Sequence, residues 1–244
     1  MKIFTYGFAE VPIGLALSSL CGSPLRRKPA GLIHSELMWK MELGSPILSP
    51  LRMQLGHLAM FAAWESPEAI NEFLTGDVLG RHFQAGWHVR LKFLRRWGFI
   101  SEFDGLPEQA GEVDPEAPVV AVTLARMRLT QVPRFLRWGK PVESFVRDHP
   151  GVLHASAAMR FPRTISTFSI WSSQREMAAM VHGRGKVDRP ELHAAAMKER
   201  DRKDFHHQFT TLRFQPLEEQ GSWQGRSNFL RLVPPLKSQD DTLS

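Results

Sequence analysis

LAMFAAWESPEAINEFL (58–74) and ISTFSIWSSQREMAAMV (165–181) follow one plan: an apolar run ending in Trp, a serine, then a helix-like stretch. Phe61, Trp64 and Ser66 match Phe168, Trp171 and Ser173 at a constant offset of 107. Each serine stands where a helix N-cap belongs. Pro67 suits a first helical position, and Ser173 with Glu176 makes a capping box. Both stretches therefore read as strand, cap, helix. A second echo follows, since His82 precedes Phe103 and His193 precedes Phe214 by 21 residues, each His having Ala three positions on, Ala85 and Ala196.

Working outward, both halves give one order of elements. The first reads as strand 2–8, helix 12–20, strands 32–42 and 57–64, helices 66–75 and 78–97, and strand 98–103. The second reads as strand 119–129, helix 131–148, strands 152–160 and 164–171, helices 173–182 and 190–205, and strand 207–215. Periodicity and caps support these assignments. The pattern is βαββαβ, the split ferredoxin-like unit. Within TFSIW, Phe168 and Ile170 point to one face and Thr167, Ser169 and Trp171 to the other; Phe61 and Trp64 also part company. Large apolar groups on both faces need cover on both, and helices supply only one. Two tandem repeats can cover each other. The expected fold is α+β, with two ferredoxin-like repeats closing into an α/β barrel within one chain and a space between their sheets.

The chain of 244 residues is 43% apolar and 10% aromatic, an ordinary globular composition. Its net charge of +6 is uneven: +4 over 1–100, −6 over 101–119 and +8 over 120–244. The acidic stretch, rich in Pro and Gly, reads as a solvated connector. The expected organisation is a first repeat over 1–103, a linker over 104–118, a second repeat with a C-terminal extension over 119–233, and a tail over 234–244. A single cysteine, Cys21, excludes an internal disulfide and a thiolate cluster and fits a reducing cytoplasm. No uninterrupted apolar run approaches the ~18 residues of a membrane span.

No glycine-rich phosphate loop, HExxH, nucleophile elbow or zinc spacing is present, so the common motif-bearing enzyme classes find no support. Among ten histidines, His193 lies in ELHAAAMKERDRKDF, where Ala196, Met197 and Arg200 share its helical face. A flat, apolar neighbourhood of this kind suits an axial heme ligand. The plain alternative is a partly buried helix histidine bonded to a backbone carbonyl. His82, on the corresponding helix of the first half with Leu79, Phe83 and Gly86, is the weaker metal candidate. His206 and His207 are adjacent in a strand and point apart, so one of them should be exposed. HVRLKFLRRW (88–97) reads as an amphipathic helix: either a peripheral contact with anionic lipid or a core-packed helix with a solvated cationic face. Its aromatics follow a helical pattern rather than decorating a sheet, so nucleic acid is not an expected partner.

LARMRLTQVPRFLRWGKPVESFVRDHPGVLHASAAMRFPRTISTFSIWSS (124–173), the His193 helix and FTTLRFQPLEEQGSW (209–223) together resemble the spheroidene monooxygenase family of carotenoid biosynthesis. The likeness is good over about 120–225 and weaker over 1–103. GRGKVDRPELH (183–193) and DFHHQFTTLRF (204–214) depart from that pattern by being more polar. The resemblance implies an oxygen-dependent, heme-associated monooxygenase of dimeric α/β barrel type acting on an apolar polyene, with electrons from a partner. By matching positions it implies His193 as heme ligand, Arg126 or Arg128 for a propionate, and Phe168, Trp171, Met127 and Met197 along the substrate pocket. The rival readings are a carrier of heme or another apolar ligand, and a cofactor-free barrel monooxygenase. A barrel complete within one chain is compatible with a monomer or a homodimer.

Overall fold

The computed structural model describes residues 2–21, 28–45, 52–112, 114–181, 198–199 and 202–230. The first repeat contains β1 (Ile3–Glu10), α1 (Ile13–Cys21), β2 (Leu32–Met41), β3 (Met53–Trp64), α2 (Pro67–Gly76), α3 (Val78–Ala85) and β4 (Trp87–Phe99). The second contains β5 (Val119–Met127), α4 (Val132–Arg147), β6 (Val152–Arg160), β7 (Thr164–Trp171), α5 (Gln174–Val181) and β8 (His206–Gly221). The eight strands form a closed barrel in the order β1-β3-β2-β6-β7-β5-β8-β4, with antiparallel neighbours. Each repeat contributes four adjacent strands, as the α+β reading expects. Ser66 caps α2 by accepting from Ala69 N–H at 3.4 Å, and Ser173 caps α5 by accepting from Glu176 N–H at 3.2 Å.

The space between the sheets is filled. Eight strands enclose an interior just wide enough for side chains, and here aromatic rings occupy it. Phe4, Tyr6 and Phe8 of β1 meet Phe61, Trp87, Phe168 and Phe214 in the lumen, all without solvent exposure. The Tyr6 ring stacks on Phe168 with centroids 4.0 Å apart. The echo at offset 107 thus has a physical basis: Phe61 and Phe168 point into the lumen, while Trp64 and Trp171 pack outward beneath helices.

Three expectations need correction. Residues 88–97 are strand, not helix: Val89, Leu91 and Phe93 alternate inward against Arg90 and Lys92, a period of two. They sit in the barrel wall between β1 and β8, so the expected membrane contact loses its amphipathic helix. The connector is not wholly solvated. Phe103 and Leu106 are buried in the lumen cluster, and Arg96 N–H and Ala110 N–H bond across to Glu108 and Leu94 carbonyls at 2.8 Å. Phe103 is also not the counterpart of Phe214, since it lies in the short turn after β4 whereas Phe214 lies within β8. Among the described residues no helix is long and apolar enough to cross a membrane.

A cluster of charges closes one end of the lumen. Glu36, in the apolar strand β2, has no solvent exposure. It accepts from His34 Nε2 at 2.9 Å and Arg160 Nη2 at 2.9 Å, and it pairs with Arg126 Nη2. Arg126 also reaches Glu102 at 3.0 Å and Thr164 at 2.8 Å. Burial opposes ionisation of Glu36, but the His34 hydrogen bond and the Arg126 and Arg160 charges overcome it and hold the carboxyl at about 2. His34, Glu36 and Glu102 could together ligate a metal ion, yet the Arg126 and Arg160 guanidinium groups already pair with the two carboxylates.

Glu36→Gln should destabilise the protein at pH 7 by about 3–5 kcal/mol, the usual cost of breaking a buried ion pair. Because the native carboxyl titrates below its unfolded value, this advantage is present above about pH 4.5 and is lost as pH falls toward 2. Denaturant titrations should therefore show the gap between wild type and variant narrowing in that window; a pH-independent gap contradicts the assignment. Phe168→Ala should cost about 3–5 kcal/mol by opening a lumen cavity, measured the same way, and a loss below 1 kcal/mol would show that the lumen is not packed around it.

Candidate functional site

The two repeats treat their outer sheet faces differently. On the first, Trp39, Leu58, Met60 and Trp64 lie under Ile70, Phe73 and Leu74 of α2 and Leu79 and Phe83 of α3, all buried. On the second, the face is built from small and hydroxyl side chains. Register places Trp97, Thr211, Thr123, Thr167 and Ala157 in one row across β4, β8, β5, β7 and β6. Arg95, Arg213, Ala121, Ser169 and Ala155 form the row beside it. Thr123, Thr211, Ala121 and Ser169 are half-buried and Thr167 is exposed. Thr123 and Thr211 hydroxyls lie 3.3 Å apart and bond to each other.

This floor has distinct borders. At one end Met127, Phe205, Phe135 and Phe209 form an apolar cluster under α4. At the other, Trp171, Val119, Met177 and Met180 pack under α5, with the Trp171 indole N–H donating to Ser169 at 2.9 Å. Four strands at ~4.8 Å spacing make a floor ~14 Å wide, broad enough for a flat ring system. Along the β4 side, the guanidinium carbons of Arg95 and Arg213 lie 4.4 and 4.1 Å from the Trp97 ring centroid. Arg95 and Arg213 are direct cross-strand partners, a like-charge arrangement that costs stability. Burial and the Arg95 charge push the Arg213 guanidinium down to about 10. No carboxylate pairs with either arginine among the described residues, so two cations border the floor without a counterion.

The expected site residues divide accordingly. Trp171 and Met127 stand at opposite ends of the floor. Phe168 does not reach it, because its parity turns it into the lumen. Arg126 is committed to Glu36, Glu102 and Thr164 at the lumen end, and Arg128 donates to the His206 carbonyl at 2.9 Å. His82 is half-buried on α3 and its Nδ1–H donates to the Glu10 carbonyl at 2.9 Å. His206 is buried beside Phe135 and Phe209 while His207 is exposed, as adjacent strand positions require. His193 and Met197 lie outside the described residues. Their flanks are placed: Val181 ends α5 at one end of the floor, and Glu199 at the other is held by Arg134 of α4 at 2.6 Å. Arg95, Trp97 and Arg213 were missed because only the β4–β8 register brings them together. The signal was present in LRFQP and LRRWG as unpaired arginines in alternating strands.

No family model matches the chain. It is similar to spheroidene monooxygenase from Rhodobacter capsulatus, 28% identical over 131 residues, which are 53% of this chain and 51% of that protein. The match thus spans about half the length of the relative. The fold is that of two solved aldoxime dehydratases. One is 9% identical and covers 96% of this chain and 88% of its own, with a TM-score of 0.53. The other, solved with butyraldoxime, is 10% identical and covers 89% and 80%, with a TM-score of 0.52. The sequence resemblance therefore points to the spheroidene monooxygenase family, and the structural resemblance is one of fold.

Proposed function

We propose that the protein is a monooxygenase acting on an apolar, carotenoid-like substrate, with heme seated on the outer face of the second repeat and held by His193. The observation that carries this reading is the asymmetry of the two outer faces. Among the described residues, one is sealed by helices, and the other keeps a half-open floor of Thr and Ala side chains between two apolar borders. Such a floor leaves room for a planar ring, and Trp171 and Met127 supply apolar walls that exclude water. Arg95 and Arg213 can meet ring carboxylates, since guanidinium binds carboxylate in a bidentate manner; Arg126 and Arg128 are engaged elsewhere. Sequence similarity to a spheroidene monooxygenase supports the reaction class. Heme, when bound, supplies the dioxygen chemistry, and a partner supplies the electrons. His193 would hold the group, and the floor would seat it and orient the substrate. The packed lumen does not favour a cofactor-free reaction inside the barrel.

Hemin titration should give one Soret-absorbing complex per chain, shifted by dithionite and carbon monoxide. His193→Ala should abolish retention, and full heme uptake by that variant rules out the ligand assignment. Thr167→Trp places a bulky group on an exposed floor position, so the fold should persist while hemin affinity falls at least tenfold; unchanged affinity would move the site off this face. Incubation with reductant and a polyene then separates an oxygenase, which yields oxygenated product, from a carrier, which binds heme and yields none.

A further inference from the structure

The other end of the lumen holds a polar cleft that the reading above does not use. Only Trp39, Lys40 and Met41 of β2 pair with β6, and β2 carries an irregularity against β3 at this point. Bulges of this kind re-aim side chains and end pairing. Beyond them the strands separate around a cleft of about 340 Å³, lined by Lys40, Gln54, His154, Gln224 and Arg226 with Met41 and Leu153 among its apolar walls.

Lys40 is the anomaly. It shares the inward face of β2 with Glu36, four residues away, yet it is only 5% exposed and has no carboxylate within 4.0 Å among the described residues. Its ammonium has one long hydrogen bond, to Gln54 Oε1 at 3.4 Å, and lies 5.7 and 5.5 Å from the Phe8 and Trp223 ring centroids. Burial lowers its proton affinity, partly offset by Glu42 at the rim. A buried ammonium without a counterion is costly unless an anion joins it. His154 lines the cleft beside Lys40, with its Nε2 sealed from solvent and without a hydrogen-bond partner among the described residues. Burial and the Lys40 and Arg226 charges keep this imidazole neutral, with a value of about 3. Arg226 is exposed, stacks on Phe229 at 4.9 Å and has no acidic partner among the described residues. Arg147 also lines the cleft but is taken by Asp148 at 2.7 Å.

We propose that this cleft binds a small organic carboxylate, its charge met by Lys40 and Arg226 and its apolar body set against Met41 and Leu153. The groups converge from β2, β6 and the turn after β8, so the site exists only because both repeats close around it. It stands apart from the floor of β5, β7 and β8 and does not depend on heme.

The test is calorimetric titration of the full-length protein with benzoate, using benzamide and inorganic phosphate as comparisons. Benzoate should bind saturably at one site per chain, and benzamide, lacking the charge, at least tenfold more weakly. Lys40→Met and Arg226→Gln should each weaken benzoate at least tenfold. Arg226 is exposed, so its variant keeps the test valid if Lys40→Met fails to fold. Phosphate binding without benzoate binding overturns the carboxylate class. Absence of saturable benzoate binding, or binding indifferent to both variants, overturns the site.

Discussion

Two four-stranded sheets can bury their second faces against each other only if both pairs of edge strands meet, and in this barrel the two seams are unequal. The β4–β8 ladder runs from Trp87 opposite Gly221 to Phe99 opposite Phe209, whereas β2 and β6 pair at three positions only. An open edge is a liability, and a short seam needs other ties. They are ionic: Glu36 joins Arg126 and Arg160 across the barrel end, and Arg52 joins Glu143 of α4 through two bonds at 2.6 and 3.1 Å. Gly44 N–H adds a third bond to Glu143 at 3.1 Å. The lumen rings, the ion cluster and the basic cleft all follow from how this seam is closed.

The repeats share a backbone plan and differ in what their outer faces do. Apolar bulk on Trp39, Leu58, Met60 and Trp64 turns the first repeat into a second hydrophobic core. Threonine, serine and alanine at the equivalent depth give the second repeat a smaller and more polar floor than the first. Two repeats with one backbone plan thus differ in side-chain volume, and the proposed heme site rests on that difference.

Much of the fold was legible because it rests on local signals. The strand–cap–helix units at Ser66 and Ser173, and the strands at 152–160 and 164–171, fall where alternation and caps place them. The misreading at 88–97 shows the limit: Leu94, Arg95, Arg96 and Trp97 blur the alternation because the register shifts there, and a bulged strand mimics a helical face. The site was less legible. Parity separates Phe168 from Trp171 and is readable in the sequence, but the Arg95–Trp97–Arg213 stack depends on pairing between strands more than a hundred residues apart. The charges of Glu36 and Lys40, set in the apolar strand LIHSELMWKM, were the visible sign that both lumen ends carry polar clusters.

The central claim is that heme would sit on the outer face of the second repeat and not among the aromatic rings that fill the lumen. A crystal structure of the protein grown with hemin tests it most directly. The account predicts a ring lying over Thr123, Thr167 and Thr211 with its carboxylates toward Arg95 and Arg213. A ring found within the lumen, or against the first repeat, would contradict it.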